Sequence, residues 1–100
     1  MKLIKTIRGE YIVCESVQAI RKGGSSAFDE EHTYKTIKTI EAITNKGGFV
    51  LGLYRNGEYS ADEKQKIALA ELIRRLTNDQ QIIEVLTDEQ AEEELKGRGK

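Results

Sequence analysis

One hundred residues, a third of them charged and 38% apolar, make one small domain with a single modest core that a partner subunit would help to complete. The net charge of −1 gives no general pull toward nucleic acid or an anionic membrane, and no apolar run approaches the roughly 18 residues of a membrane span. The one cysteine, Cys14, excludes an internal disulfide, and the N-terminal run Met1–Tyr11 turns polar too early for a secretory signal; both point to the cytoplasm.

The charge is uneven along the chain. Residues 1–57 carry nine Lys and Arg against six Asp and Glu, whereas residues 58–100 carry seven against eleven. Such polarity can steer a partner or favour head-to-tail contact between copies, and it also arises from ordinary scatter.

From the N-terminus, Leu3, Lys5 and Ile7 alternate with Ile4 and Thr6, which predicts a strand stopped by Arg8-Gly9. Tyr11–Val13 and Val17–Arg21 read as two strands around a tight corner at Cys14-Glu15-Ser16. Cys14 suits a small, partly buried filler there better than a reactive thiol. Gly23–His32 reads as a flexible surface loop with three consecutive acids, Asp29, Glu30 and Glu31, and a solitary Phe28 that could serve as a contact residue.

In Thr33–Thr44 the apolar residues recur every three positions, which fits neither a strand face nor a helix face. An Asp29-capped helix is the alternative. Four Thr and three Ile in twelve residues favour a long strand carrying a bulge, because branching at Cβ suits a pleated surface. Asn45–Gly48 is a turn and Phe49–Tyr54 the returning strand. Gly52 inside it marks a bulge or a close approach of another backbone, and Asn56-Gly57 supplies the next turn.

Ser60-Ala61-Asp62-Glu63 is a capping box. It opens a helix whose apolar stripe is expected at Leu69, Leu72, Ile73 and Leu76, with Ile67 and Ala70 alongside and Lys64 outside. Gln81–Leu86 reads as a short strand. Thr87-Asp88-Glu89-Gln90 is a second capping box, starting an acidic helix that Gly97 stops, with a disordered tail at 97–100. The expected organisation is a domain over 1–78 with a strand–helix arm of the same domain over 79–96.

Several short runs together resemble a group of small proteins of uncharacterised activity from Gram-positive bacteria and their phages. They are Lys2-Leu3-Ile4, Gly9-Glu10-Tyr11-Ile12, Val17–Ile20, Val50-Leu51-Gly52-Leu53-Tyr54 and the capped helix with Ser60, Glu63, Ala68-Leu69 and Glu71-Leu72. The resemblance covers residues 2–76. It implies a strongly bent small sheet closed by a helix, pleckstrin-homology-like in outline, and a home in a phage or mobile element, with no activity or binding residue to carry over.

Catalytic groups are scarce. His32 is the only histidine, and Glu30 and Glu31 beside it favour its charged form, a poor general base. One His and one Cys do not make a zinc site, and Asp29–Glu31 lacks the alternating ligands of a calcium loop. No catalytic residue, metal or cofactor is expected. Arg21, Lys22, Gly23, Gly24, Ser25 and Ser26 form the most suggestive cluster: two cations before flexible glycines and hydroxyls could cradle a phosphate, although the P-loop order is missing. The basic residues and tyrosines are too dispersed for a nucleic-acid face.

The sequence therefore reads as α+β: a small curved, mainly antiparallel sheet of about five strands, one packed amphipathic helix and a short C-terminal strand–helix arm. The expected function is a non-enzymatic, self-associating interaction protein that binds or inhibits a protein partner through Phe28, Ile82, Ile83, Val85 and Leu95. A small phosphorylated-ligand or nucleotide sponge is the alternative, and a nucleic-acid binder the next.

Overall fold

The computed structural model describes residues 1–28 and 34–98; side chains are described outside 26–35. Six strands and two helices follow in the order β1 (Leu3–Lys5), β2 (Tyr11–Val13), β3 (Val17–Phe28), β4 (Tyr34–Thr44), β5 (Gly47–Arg55), α1 (Ala61–Leu76), β6 (Ile82–Ile83) and α2 (Asp88–Arg98). This is the small α+β fold expected, with the strands divided between two three-stranded sheets, β2-β1-β6 and β3-β4-β5. A one-turn 3₁₀ helix at Cys14–Ser16 makes the corner where the chain leaves the first sheet for the second. The Ile7 amide donates to the Val50 carbonyl at 2.9 Å and ties the sheets together beside β5.

The first sheet is short because its strands end in turns. The β1–β2 pair is antiparallel, with Ile4 opposite Ile12, and β6 joins the other side of β1 in parallel, with Ile83 opposite Ile4. Ile4 and Ile83 are buried and Ile12 packs on the core; Leu3, Val13 and Ile82 fall on the opposite face by strand alternation. The expected strand Gln81–Leu86 shrinks to two residues, because Val85 and Leu86 leave the ladder to pack into the core.

The second sheet is a meander of long strands. Thr33–Thr44 is a strand from Tyr34 on, as expected, but it alternates without a bulge, and its threefold spacing puts Ile40 on one face and Ile37 and Ile43 on the other. The extra residue where its register with β5 slips, between Ile40 and Glu41, belongs to β5, beside Gly52. Around it, Ile40, Ala42 and Thr44 turn inward while Ile37, Thr39, Glu41 and Ile43 turn outward. Leu51, the extra residue opposite the slip, is also buried.

Helix α1 begins with the Ser60 half of the expected capping box: the Glu63 amide donates to Ser60 Oγ at 3.1 Å, while the Glu63 carboxylate accepts from the Ser60 hydroxyl at 3.2 Å rather than from its amide. The expected stripe holds at Ile67, Leu69, Leu72 and Leu76, which are buried or packed on the core, and fails at Ile73 and Ala70, because the buried face is rotated toward Ala61, Lys64, Gln65 and Ala68. Ala61, Lys64, Gln65, Ile67, Ala68 and Leu72 are buried, while Ile73 is exposed and Ala70 is solvent-facing. The helix turns its alanines to the sheet because Ala61 and Ala68 fit a close approach to Ile40 and Ala42, which larger residues would hold off. At its far end, Lys2 Nζ donates to the Leu76 and Asn78 carbonyls, satisfying acceptors that a helix C-terminus leaves free.

The second capping box is reciprocal, Gln90 amide to Thr87 Oγ1 and Thr87 amide to Gln90 Oε1. Helix α2 continues through Gly97 to Arg98, so the expected stop and tail at 97–98 give way to a last helical turn; Gly99 and Lys100 lie outside the described residues. Ala91 is fully buried and Leu95 packs on the same core, which makes α2 an integral part of the domain.

Candidate functional site

The cluster singled out in the sequence, Arg21–Ser26, is part of a strand. Gly23–His32 as a loop is overturned up to Phe28: the described part pairs residue by residue with β4, from Arg21 opposite Glu41 to Phe28 opposite Tyr34. The physical reason is that the two glycines let β4 side chains cross over β3. On the outer face the Glu41 carboxylate lies across Gly23; a Cβ there would stand 2.0 Å from Glu41 Oε2 and 2.7 Å from Thr39 Oγ1. On the helix side the stem of Lys38 lies across Gly24, whose Cβ would also meet the Ile37 carbonyl at 2.6 Å.

Arg21 and Lys22 consequently part company. Arg21 Nη2 donates to Glu41 Oε1 at 2.9 Å, and Thr39 Oγ1 donates to Glu41 Oε2 at 2.8 Å. These hydrogen bonds, Arg21's first, hold the Glu41 carboxyl below its usual range. Arg21 is thus neutralised on the outer face. Lys22 lies on the helix side with Lys38, bordering a shallow cavity of about 530 Å³ at the edge of β3. Gln65 closes its floor by donating to both the Gly23 and Thr39 carbonyls, at 3.1 and 2.8 Å. Gly24 and Ser25 line it too. Ser26 and Phe28 end β3 with side chains outside the described residues, where His32 and Asp29–Glu31 also fall.

The expected partner residues separate likewise. Ile83 is fully buried and Val85 nearly so, and Leu95 packs on the core, so these three hold α2 and β6 to their own chain. Of the expected partner residues whose side chains are described, only Ile82 is open, at 52% exposure.

The outer face of β3-β4-β5 carries what periodicity alone did not single out. Strand register sets Ile37, Ile43, Val50 and Leu53 on it, around the Arg21–Glu41 pair. All four are half-buried, and none belongs to the core. An antiparallel sheet with one face on water alternates apolar-in with polar-out, and this one sets four large apolar side chains outward among Arg21, Ser25, Thr39, Glu41 and Arg55. Beside it, Ile7 is 53% exposed and shares a groove of about 450 Å³ with Phe49, Val50 and Leu53.

An ionic cluster around a buried lysine lies on the helix side. Lys64 Nζ, almost wholly buried, meets Asp88 Oδ1 at 2.9 Å and Glu92 Oε1 at 3.9 Å. Asp88 Oδ1 also accepts from the Arg55 amide at 3.1 Å. Tyr54 beside it is fully buried and donates to the Leu86 carbonyl at 2.7 Å. Burial, and then Asp88, push the Tyr54 hydroxyl far up, so it stays protonated and acts as a fixed donor. Burial also pushes the Cys14 thiol up, which disfavours the reactive thiolate. These groups tie α2 to β5 and α1. Among the described residues no group of three or more metal-ligating side chains converges, and no helix is long and apolar enough to cross a membrane.

No protein-family model, curated protein or solved structure matches this chain.

Proposed function

We propose that this chain is a non-enzymatic interaction protein whose working unit is a self-associated pair, with the outer face of β3-β4-β5 packed against the same face of a second copy. The observation that carries this reading is the row of Ile37, Ile43, Val50 and Leu53 where a solvated sheet would be polar. The Arg21–Glu41 ion pair at the centre of the face is internally neutral, so the face offers apolar area and complements a copy of itself better than a highly charged surface. A shortest dimension of 19 Å leaves room for little more than two packed layers, and a facing sheet would add a third. A domain this small gains from such burial.

Native mass spectrometry of the intact chain tests it. A dimer is expected, and Ile43→Lys or Leu53→Lys should give monomers that still fold cooperatively, melting where the wild type melts once diluted to monomer, because neither residue is in the core. A wild-type monomer at high micromolar concentration, or a dimer indifferent to both substitutions, overturns the reading.

A further inference from the structure

A second surface is independent of the outer face. Strand β3 runs for twelve residues at the rim of its sheet, and among the described residues it pairs only with β4. At about 3.4 Å per residue that is roughly 40 Å of open edge. Sheet edges are ordinarily kept short, broken by proline or a bulge, or blunted by charged side chains; this chain contains no proline, and the charges of β3 are confined to Arg21 and Lys22. One register irregularity, between Val17 and Ala19, disturbs only its beginning.

The edge also has a chemical signature. A strand added beside β3 would place every second side chain on the helix side, over the cavity that Lys22, Lys38, Gly24 and Ser25 border. Lys38 comes to β3 from the neighbouring strand, its stem crossing Gly24. Asp62 of α1 stands on the far wall, so the cavity holds two cations against one carboxylate. The wall is stiff, because the Gln65 amide pins α1 to the Gly23 and Thr39 carbonyls.

We infer that the β3 edge binds an extended segment of another protein by strand addition, and that Lys22 and Lys38 select acidic side chains at alternate positions of that segment. Main-chain hydrogen bonds along the edge supply affinity without sequence preference, and charge-assisted bonds to the two ammonium groups supply the preference.

Selection of a phage-displayed random dodecapeptide library on the wild-type chain is the test. Peptides with Asp or Glu at every second position are expected to enrich. Their affinity should fall by about tenfold or more in Lys22→Glu/Lys38→Glu, the equivalent of one charge-assisted bond. N-methylation of alternate peptide amides should abolish binding in one of the two registers. Loss of affinity counts only where the variant keeps its melting temperature and native mass, which also separates this result from the fate of the outer-face reading. No enrichment, enrichment without alternation, or equal binding to any polyanion such as single-stranded DNA overturns the inference.

Discussion

Tyr54 folds its ring back over Gly52, two residues earlier on the same face of β5, so that a Cβ at Gly52 would stand 2.3 Å from Tyr54 Oη and 2.9 Å from its Cζ. The missing side chain is what allows the hydroxyl to reach the Leu86 carbonyl and bind the segment leading into α2 to the sheet. Gly52→Ala should destabilise the chain by about 2–3 kcal/mol through overpacking. Tyr54→Phe should cost about 1–2 kcal/mol, because it leaves the Leu86 carbonyl without its donor. Most of the clash is with the hydroxyl, so the double variant should cost less than the two single changes combined. Urea melts of the four chains check this, and strict additivity would refute the contact.

Lys64 was expected on the wet side of α1 and is instead one of the most buried residues, with Asp88 and Glu92 as its counter-ions. Breaking such a pair from the acidic side strands a charge. Asp88→Ala combined with Glu92→Ala should cost roughly 3–5 kcal/mol. Lys64→Met leaves two carboxylates that keep 39% and 27% exposure and can be hydrated, and should cost about 1 kcal/mol or less. Adding Lys64→Met to the double acid variant should then recover much of the loss. Thermal melts monitored by circular dichroism decide it: a Lys64→Met loss as large as the acid variant's would mean that the cation itself holds α2.

How far the sequence could be read follows from which signals were local. The N-caps at Ser60 and Thr87, the corner at Cys14, the strand over Tyr34–Thr44 and the bulge beside Gly52 depend on neighbours in sequence, and each is where its residues place it. The face of α1 was placed correctly at Ile67, Leu69, Leu72 and Leu76 but rotated too far toward Ile73, because hydrophobicity ranked Ile73 above Ala61 and Ala68, whereas closeness to the sheet favoured the alanines. Arg21–Ser26 looked like a loop because glycine and serine are turn formers. Their role is set instead by Glu41 and Lys38, well along the chain, crossing over Gly23 and Gly24. Ile83 and Val85 looked available to a partner because nothing nearby in sequence reveals that Ile4 of β1 lies beside them. The outer apolar row becomes visible only once the register of three strands is known.

Acid should weaken the fold through two carboxylates. Arg74 and then Arg75 hold the Glu71 carboxyl down at about 2, and Arg21 with Thr39 depress Glu41. A carboxylate that binds protons less readily when folded contributes its stability above its unfolded value of about 4.3. That contribution is lost as the pH falls through the folded values. Arg74 is largely exposed, so screening limits the Glu71 share to about 1 kcal/mol. The melting temperature should be flat from pH 7 to 5 and fall toward pH 2. Glu71→Gln should lower the neutral plateau and shrink that fall; an unchanged acid slope would show that Glu71 is not linked to folding.

Gly23 and Gly24 should respond differently to the same added methyl group. At Gly23 the obstruction is the end of the Glu41 side chain and the Thr39 hydroxyl, both able to swing away. Gly23→Ala should therefore cost about 1 kcal/mol, mainly by displacing Glu41 from Arg21 and Thr39. At Gly24 the obstruction at 2.6 Å is the Ile37 carbonyl, part of the β4 backbone. It cannot move without opening the β3–β4 ladder, and Gly24→Ala should cost about 2–3 kcal/mol. Only Gly23→Ala should release the Glu41 carboxyl toward its ordinary titration, visible in the side-chain carboxyl signal by NMR between pH 2 and 6. Equal losses at the two positions, or a Glu41 titration unaffected by Gly23→Ala, would mean that the carboxylate does not lie across that glycine.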